Sequence, residues 1–478
     1  MKAIAASGGA SAIGWAPGSS ATTDDGSAQI VADVRSLAQR GKQNLTLLLP
    51  AGSEPNVRPV IERFEAETSV SVTVRLAPVD DINTELLLTS MQRDNSPDLA
   101  LVASFGLPDL VQRNVLRPID DLESRYPAAA SMRRQSLYQI ADEFDGHAYG
   151  PQFDGDLYLL FFNAAILNDP ALRDSYERQY ERPFGAATRW QDLDRMMQLV
   201  HESNRALHGG VLFRTPRYIT WEFWARLHAS GQLPFDDDMR PTLNSVNSVR
   251  AIEAMIDAGR WQHPDVGSAG LVENWQLFCE GRSLCHIGWG GSQKYFLQHK
   301  TELSEGVIVA QLPGLDQDDG KTPLPLFNWG WNFAIPARAV NTELAFLFAA
   351  FAVSPDIAVT AVSQADGFID PFQPGHYSDK RIVATYGDAF LKTHADGMRR
   401  AIPDLYIKGH SDYMEALSNA LTLAHRGQIN AVEAANSVVI RWERITERLG
   451  RSAQALQWQR LKQQYPAGLV ERLSSSTI

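Results

Sequence analysis

The sequence predicts an α/β protein with a mostly parallel, doubly wound sheet, built as two lobes. Three observations predict it. Between Leu45 and Ala103 apolar runs and amphipathic stretches alternate as strand, helix, strand, helix, strand, the rhythm of parallel strands joined by crossover helices. The chain has 478 residues, more than one hydrophobic core supports. Gly150-Pro151 then interrupts the chain before a second apolar strand, Leu157–Phe162, as a breaker between units does.

In order, Leu45–Leu49 reads as a buried strand and Ala51–Pro55 as a loop. Pro59–Glu67 is a predicted helix with Val60, Ile61 and Phe64 on one face. Val70, Val72, Val74 and Leu76 alternate with polar residues, the period of a strand. Ile82–Arg93 is a second helix, with Asp80 and Asp81 placed to cap it, and Asp98–Ala103 a third strand. Ser104-Phe105-Gly106 lies at that strand's C-terminal end, where open α/β sheets bind ligands. Asp154-Gly155-Asp156 is a turn before Leu157–Phe162. Glu273–Glu280 reads as a helix closed near Gly281, and Leu284–Ile287 as a strand. Gly288-Trp289-Gly290-Gly291-Ser292 then opens another helix, whose first N–H groups face whatever the Trp289 loop holds. From Asn341 onward the chain is helical: Glu343–Val353, Pro355–Ser363, Tyr413–Arg426 and Ala431–Leu449.

Composition excludes several classes. At 44% hydrophobic and 21% charged the chain is globular, and a net charge of −12 with scattered arginines excludes a nucleic-acid footprint. No stretch approaches the run of about 20 apolar residues that a spanning helix needs. Cys279 and Cys285 fit no zinc spacing; either they close a small disulfide loop or they are separate thiols in a helix end and a strand. No phosphate-cradling loop, His-Glu-x-x-His or Gly-x-Ser-x-Gly motif occurs, and the histidines are dispersed. No cofactor or metal is therefore expected. The acidic runs Asp236–Asp238 and Asp316–Asp319 lack calcium-ligand spacing. Carboxylates are plentiful enough that a glycosidase pair stays open as an alternative.

What is present is an aromatic and amide inventory at predicted loop ends. Pro325–Pro336 packs Phe327, Asn328, Trp329, Gly330, Trp331 and Asn332 ahead of the apolar Phe333-Ala334-Ile335. Indoles cover the C–H face of a sugar ring while carboxamides and backbone meet its hydroxyls, so this stretch reads as a wall for a neutral, hydroxyl-rich molecule. It reads equally as core filling. Ser53, Ser104, Phe105, Trp224, Trp275, Trp289, Gly290, Asp154 and Asp370 are further candidates at element ends or breaks. Trp224 follows Trp221 by one helical turn, so one of the two belongs to the core. Trp275 can pack within its own helix, and Asp370 precedes Pro371 in a turn, so structural roles compete for both.

The succession Arg63-Phe64-Glu65-Ala66-Glu67-Thr68, Val70–Leu76, Ser96-Pro97-Asp98-Leu99-Ala100 and Leu116-Arg117-Pro118-Ile119-Asp120-Asp121-Leu122 resembles the family 1 extracellular solute-binding proteins, the sugar-binding receptors of ABC importers of the maltose-binding-protein type. Gly146–Pro151 running into Tyr158–Asn163, Arg189-Trp190-Gln191-Asp192-Leu193, Phe278–Trp289 and Gly330–Pro336 extend the likeness over about Leu45 to Leu449. The resemblance implies a periplasmic-binding-protein fold, with ligand in a cleft between two lobes and a hinge crossed near Gly150–Asp156, Gln311–Leu312 and Asp366–Phe372. The lobes expected are 43–153 plus 312–366, and 154–311 plus 367–478. Trp289 matches a position that supplies a stacking aromatic in relatives, and Gly330 with Trp331 a cleft-lining turn. It further implies a periplasmic, monomeric receptor that hands a carbohydrate or polyol to ABC permease subunits without chemistry of its own. Residues 1–42 are expected to be a leader outside the fold: Lys2-Ala3-Ile4-Ala5-Ala6-Ser7-Gly8 is similar to the second half of a twin-arginine signal peptide without its arginines.

Overall fold

The computed structural model describes residues 23–474 apart from 93–95, 204, 300–302 and 304–305. Its strands are β1 (Asn44–Pro50), β2 (Ser71–Ala77), β3 (Leu99–Ala103), β4 (Glu143–Phe144), β5 (His147–Ala148), β6 (Leu157–Asn163), β7 (His208–Val211), β8 (Ser283–Gly288), β9 (Val307–Ala310), β10 (Leu326–Phe327), β11 (Trp331–Ala334) and β12 (Ile402–Pro403). The first sheet runs β11-β3-β1-β2. Strand β1 is parallel to β2 and β3, and β11 lies antiparallel to β3. The second runs β12-β10-β6-β8-β7, with β9 also paired to β6. It is mixed, because β6 is antiparallel to β8, β9 and β10.

Burial explains the element types. Strands β3, β6 and β8 are buried along their whole length; β3 and β6 are correspondingly near-continuous apolar runs, while β8 buries His286 with its Nδ1 bonded to the Val211 carbonyl oxygen at 3.0 Å. Strand β2 is an edge: Val74 and Leu76 are exposed in spite of their alternation. The helix Glu54–Thr68 turns Val57, Val60, Ile61 and Phe64 inward, where Phe64 meets Phe348 edge-on at 4.9 Å. Among the described residues no single helix is long and apolar enough to cross a membrane; the apolar pair Thr342–Ala352 and Pro355–Val362 bends by 72° and is buried in the first lobe's core. Cys279 and Cys285 are free thiols.

Two sequence expectations are corrected. The first concerns the leader. Thr23–Gln39 is a helix that buries Ile30, Val34 and Leu37 against the helices Pro127–Arg133 and Thr342–Ala352, so the first lobe begins well before residue 43. Residues 1–22, with the signal-like segment, lie outside the described residues. The second concerns the middle crossing. Strand β10 pairs with β6 and β12, so the chain stays with the second sheet past Leu312 and leaves it only between Phe327 and Trp331.

The hinge segments lie side by side. The Phe153 N–H donates to the Trp331 carbonyl at 2.7 Å and the Phe333 N–H to the Pro151 carbonyl at 3.0 Å. The Asp370 N–H donates to Asp154 Oδ1 at 2.6 Å. Gly155 packs so closely on the third segment that a Cβ would stand 2.0 Å from the Pro371 carbonyl oxygen. Gly155→Ala is therefore expected to force the segments apart and cost about 1–3 kcal/mol, read as a lower urea midpoint; an unchanged midpoint would show the contact yields freely.

Candidate functional site

The Trp329-Gly330-Trp331 turn joins the two sheets, and the backbone decides how. Gly330 has φ +86°, and a Cβ there would meet Phe327 Cζ at 2.6 Å, so only glycine fits this left-handed, crowded position. The Ser104 N–H donates to the Gly330 carbonyl at 2.9 Å, and the Ser104 hydroxyl bonds Asn332 Oδ1. The turn sends Trp329 and Trp331 into the space between the lobes. There Trp329 stacks on Tyr218 at 5.8 Å, and meets Trp221 at 5.2 Å, Phe105 at 5.1 Å and Trp289 at 5.7 Å. Trp331 packs against Phe368 at 5.5 Å. Trp289 precedes the helix Gly290–Gln298, and its Nε1 donates to Asn328 Oδ1 at 3.0 Å, which ties a second-lobe loop to the crossing turn.

Two cavities flank Trp329. The first, about 340 Å³ of empty space with its open mouth included, is walled by Trp275, Trp289, Trp329, Trp331 and Phe368. Val79, Leu271 and Gly291 complete it, and Asp156 is its charged lining residue. The second, about 250 Å³, is lined by Ser104, Phe105, Tyr138, Phe327, Asn328 and Asp404 among others.

Behind Asp156 the hinge concentrates charge. One carboxylate oxygen each from Asp154, Asp156 and Asp370 lie within 4.8 Å of one another, all buried. Burial raises all three carboxyls above their usual range; the charge of Asp370 adds to this at Asp154, and those of Asp154 and Asp370 add at Asp156. The Tyr386 hydroxyl donates to Asp370 Oδ1 at 2.8 Å and the Gly330 N–H to Asp156 Oδ2 at 3.4 Å. Gly290 opens its helix directly against Asp370: a Cβ would lie 2.4 Å from Oδ1. Oxygens this close suit a cation, and the structure sets Lys294 beside them. Its ammonium donates to the Ile369 carbonyl at 2.8 Å; burial lowers it to about 8, opposed by the three carboxylates.

A family model described as bacterial extracellular solute-binding protein matches residues 60–386. The chain belongs to that family. Solved structures share its fold. The maltose-bound MalE3 of T. maritima superposes with a TM-score of 0.69 at 16% identity, over 84% of this chain and 99% of that one. An ABC-transporter solute-binding protein of Agrobacterium radiobacter K84 in complex with ribitol gives 0.69 and 16%, over 84% and 98%. The GacH receptor of Streptomyces glaucescens, solved unliganded and with acarbose, gives the same values.

In this solute-binding protein the sequence candidates divide by position. Trp275, Trp289, Trp329 and Trp331 wall the first cavity, and Asp154, Asp370 and Gly290 stand behind Asp156. Ser104, Phe105 and Asn328 line the second, with Gly330 between the two. Two candidates stand apart from all of these. Trp224 is fully buried within the helix Ile219–Ala229, its ring 5.2 Å from that of His228; Trp221, one turn earlier, is the indole that reaches the cleft. The Ser53 hydroxyl is spent on the Pro50 carbonyl at 2.7 Å, at the buried entry to the Glu54–Thr68 helix. Sequence reasoning left out Phe368, Leu271, Val79 and Asp404. The Asp-Gly-Asp turn signalled Asp156; nothing local marked the others.

Proposed function

We propose that this solute-binding protein is the receptor subunit of an ABC importer, exported from the cytoplasm, that captures a soluble carbohydrate or polyol in the first cavity and presents the closed form to the permease. The observation that carries this reading is the indole-walled cavity built from both lobes: Val79 follows β2, whereas Leu271, Trp275 and Trp289 belong to the second lobe. Flat indole faces suit the C–H face of a sugar ring. Bonds across the cleft support capture by closure: the Tyr218 hydroxyl donates to Asp80 Oδ1 at 2.8 Å and the Gly409 N–H to Asp109 Oδ1 at 2.7 Å. A ligand touching both walls binds the closed form better than the open one, and that difference drives closure. Binding, not bond cleavage, is the role proposed; hydrolysis requires two carboxyl groups facing one ligand, whereas Asp154 and Asp370 stand behind Asp156.

The reading predicts a thermal shift of the full-length protein with a sugar or polyol from a panel. Ligand at one hundred times its Kd adds about 2.7 kcal/mol and raises Tm by a few degrees. Absence of any shift, after unfolding and refolding to release a carried-over ligand, would reject the carbohydrate assignment.

A further inference from the structure

We propose that the first cavity selects an amine-bearing carbohydrate or polyol, its ammonium held between the indole walls and Asp156. The proposal rests on the carbohydrate reading above and names the ligand class within it. The lining is the first argument. Five aromatic rings and two aliphatic side chains surround one carboxylate. A neutral hexose buries many hydroxyls, each of which needs a partner. The walls offer few: the Asp156 carboxylate is the one charged side chain among the lining residues, and no amide or hydroxyl side chain joins it. Indole faces, by contrast, attract a cation through their negative π surface, most strongly where water is excluded.

Charge is the second argument. Among the described residues, Lys294 supplies the buried ammonium beside Asp154, Asp156 and Asp370. Asp154 Oδ2 and Asp370 Oδ2 are buried without a hydrogen-bond partner. Burial pushes these carboxyls toward the neutral form, and a neutral ligand leaves them so; an ammonium in the cavity supplies the counter-charge that favours ionisation and bonds Asp156 directly. The net charge of −12 attracts cations over a longer range. Binding also carries a pH signature. The groups around Asp156 are Asp154 and Asp370 from the hinge, Lys294 from the helix Gly290–Gln298, Tyr386 bonded to Asp370, and the Gly330 N–H. Burial and its carboxylate neighbours favour a protonated Asp156 in the empty site. An ammonium favours the ionised form, so affinity for an amine rises from acid toward neutral pH, while affinity for a neutral parent does not.

The test uses matched probes on refolded full-length protein: N-methyl-D-glucamine against D-glucitol, D-glucosamine against D-glucose and N-acetyl-D-glucosamine, and tetramethylammonium alone, by calorimetry across pH. The aminated member of a pair is expected to bind about tenfold tighter or more, with the margin growing as pH rises. Asp156→Asn, which can still accept the Gly330 N–H, should erase that margin; if the variant does not fold, the wild-type pH profile decides. Neutral parents or the N-acetyl sugar binding as well as the amines would overturn the proposal and leave the carbohydrate reading standing. Binding of tetramethylammonium with no carbohydrate bound would keep the cation site and overturn the carbohydrate reading. No binding by any probe would count against both.

Discussion

Glu222→Gln is expected to destabilise the protein by about 3–5 kcal/mol, read from the urea midpoint, although the substitution conserves shape. Every residue of the helix Ile219–Ala229 is buried. Glu222 Oε1 accepts from Arg226 Nε at 2.9 Å and from Arg214 Nη2 at 3.3 Å, while Oε2 accepts from Arg214 Nη1. Arg226 continues to Asp194 with bonds of 2.8 and 2.7 Å and lies 4.3 Å over the Trp190 ring. Glutamine retains an acceptor but not the charge, so the fully buried Arg214 guanidinium loses its counter-ion. Breaking one side of a buried pair leaves an uncompensated charge, which is the source of the expected magnitude. Replacing both partners, Arg214→Met with Glu222→Leu, leaves Arg226 with Asp194 and should recover most of the loss. The pH dependence follows the same pairing. Burial pushes Glu222 up, but Arg214 and Arg226 outweigh it and hold it below the usual glutamate range. Its contribution is therefore present above that range and is lost as pH falls through the lowered value; in Glu222→Gln this part of the acid sensitivity disappears. Trp221 is the preceding residue, so the same network holds an indole of the cleft in place.

The sequence made the fold legible where periodicity is local. The Leu45–Ala103 alternation became β1 to β3 with their helices, and the apolar runs at 157–162 and 284–287 became the buried β6 and β8. The Thr23–Gln39 helix carries Ile30, Val34 and Leu37 at helical spacing, but the small and polar residues around them resemble a leader, and only tertiary packing, against the helices Glu54–Thr68, Pro127–Arg133 and Thr342–Ala352, distinguishes the two. Strand β10 is two residues long and is defined by partners at Leu157–Tyr158 and Ile402–Pro403, which no local pattern contains. At the site, the wall was legible as a cluster of aromatics around Gly330. Choosing Trp221 over Trp224 was not, because in a helix buried on all sides the polar residues Glu222, Arg226 and His228 mark no solvent face. The carboxylates show the same limit: the Asp-Gly-Asp turn is visible, but its meeting with Asp370 depends on two hinge segments lying together.

Trp289→Ala is expected to abolish the ligand-induced rise in Tm and to lower the stability of the empty protein by about 3–5 kcal/mol. The indole is buried and stands at a junction: it meets Tyr158 at 4.9 Å, Trp221 and Phe213 at 5.8 Å and Trp329 at 5.7 Å. Its removal merges a new void with the first cavity and takes away the donor to Asn328 Oδ1, whose Nδ2 already lacks a partner. A lone stability loss would fit a tryptophan that merely fills space, so Trp289→Phe separates the roles. Phenylalanine keeps most of the apolar contact and loses the N–H, at a cost of about 1–3 kcal/mol for the acceptor left behind. If Trp289 is a ligand wall, the phenylalanine variant folds and still binds more weakly than the wild type, because a smaller ring covers less of the ligand. A variant that melts lower yet shows the full ligand-induced shift would move the binding site away from this wall, toward the cavity on the other side of Trp329. The two readouts diverge because stability counts every contact of the indole, whereas the ligand-induced shift counts only the face that Trp289 turns to the cavity.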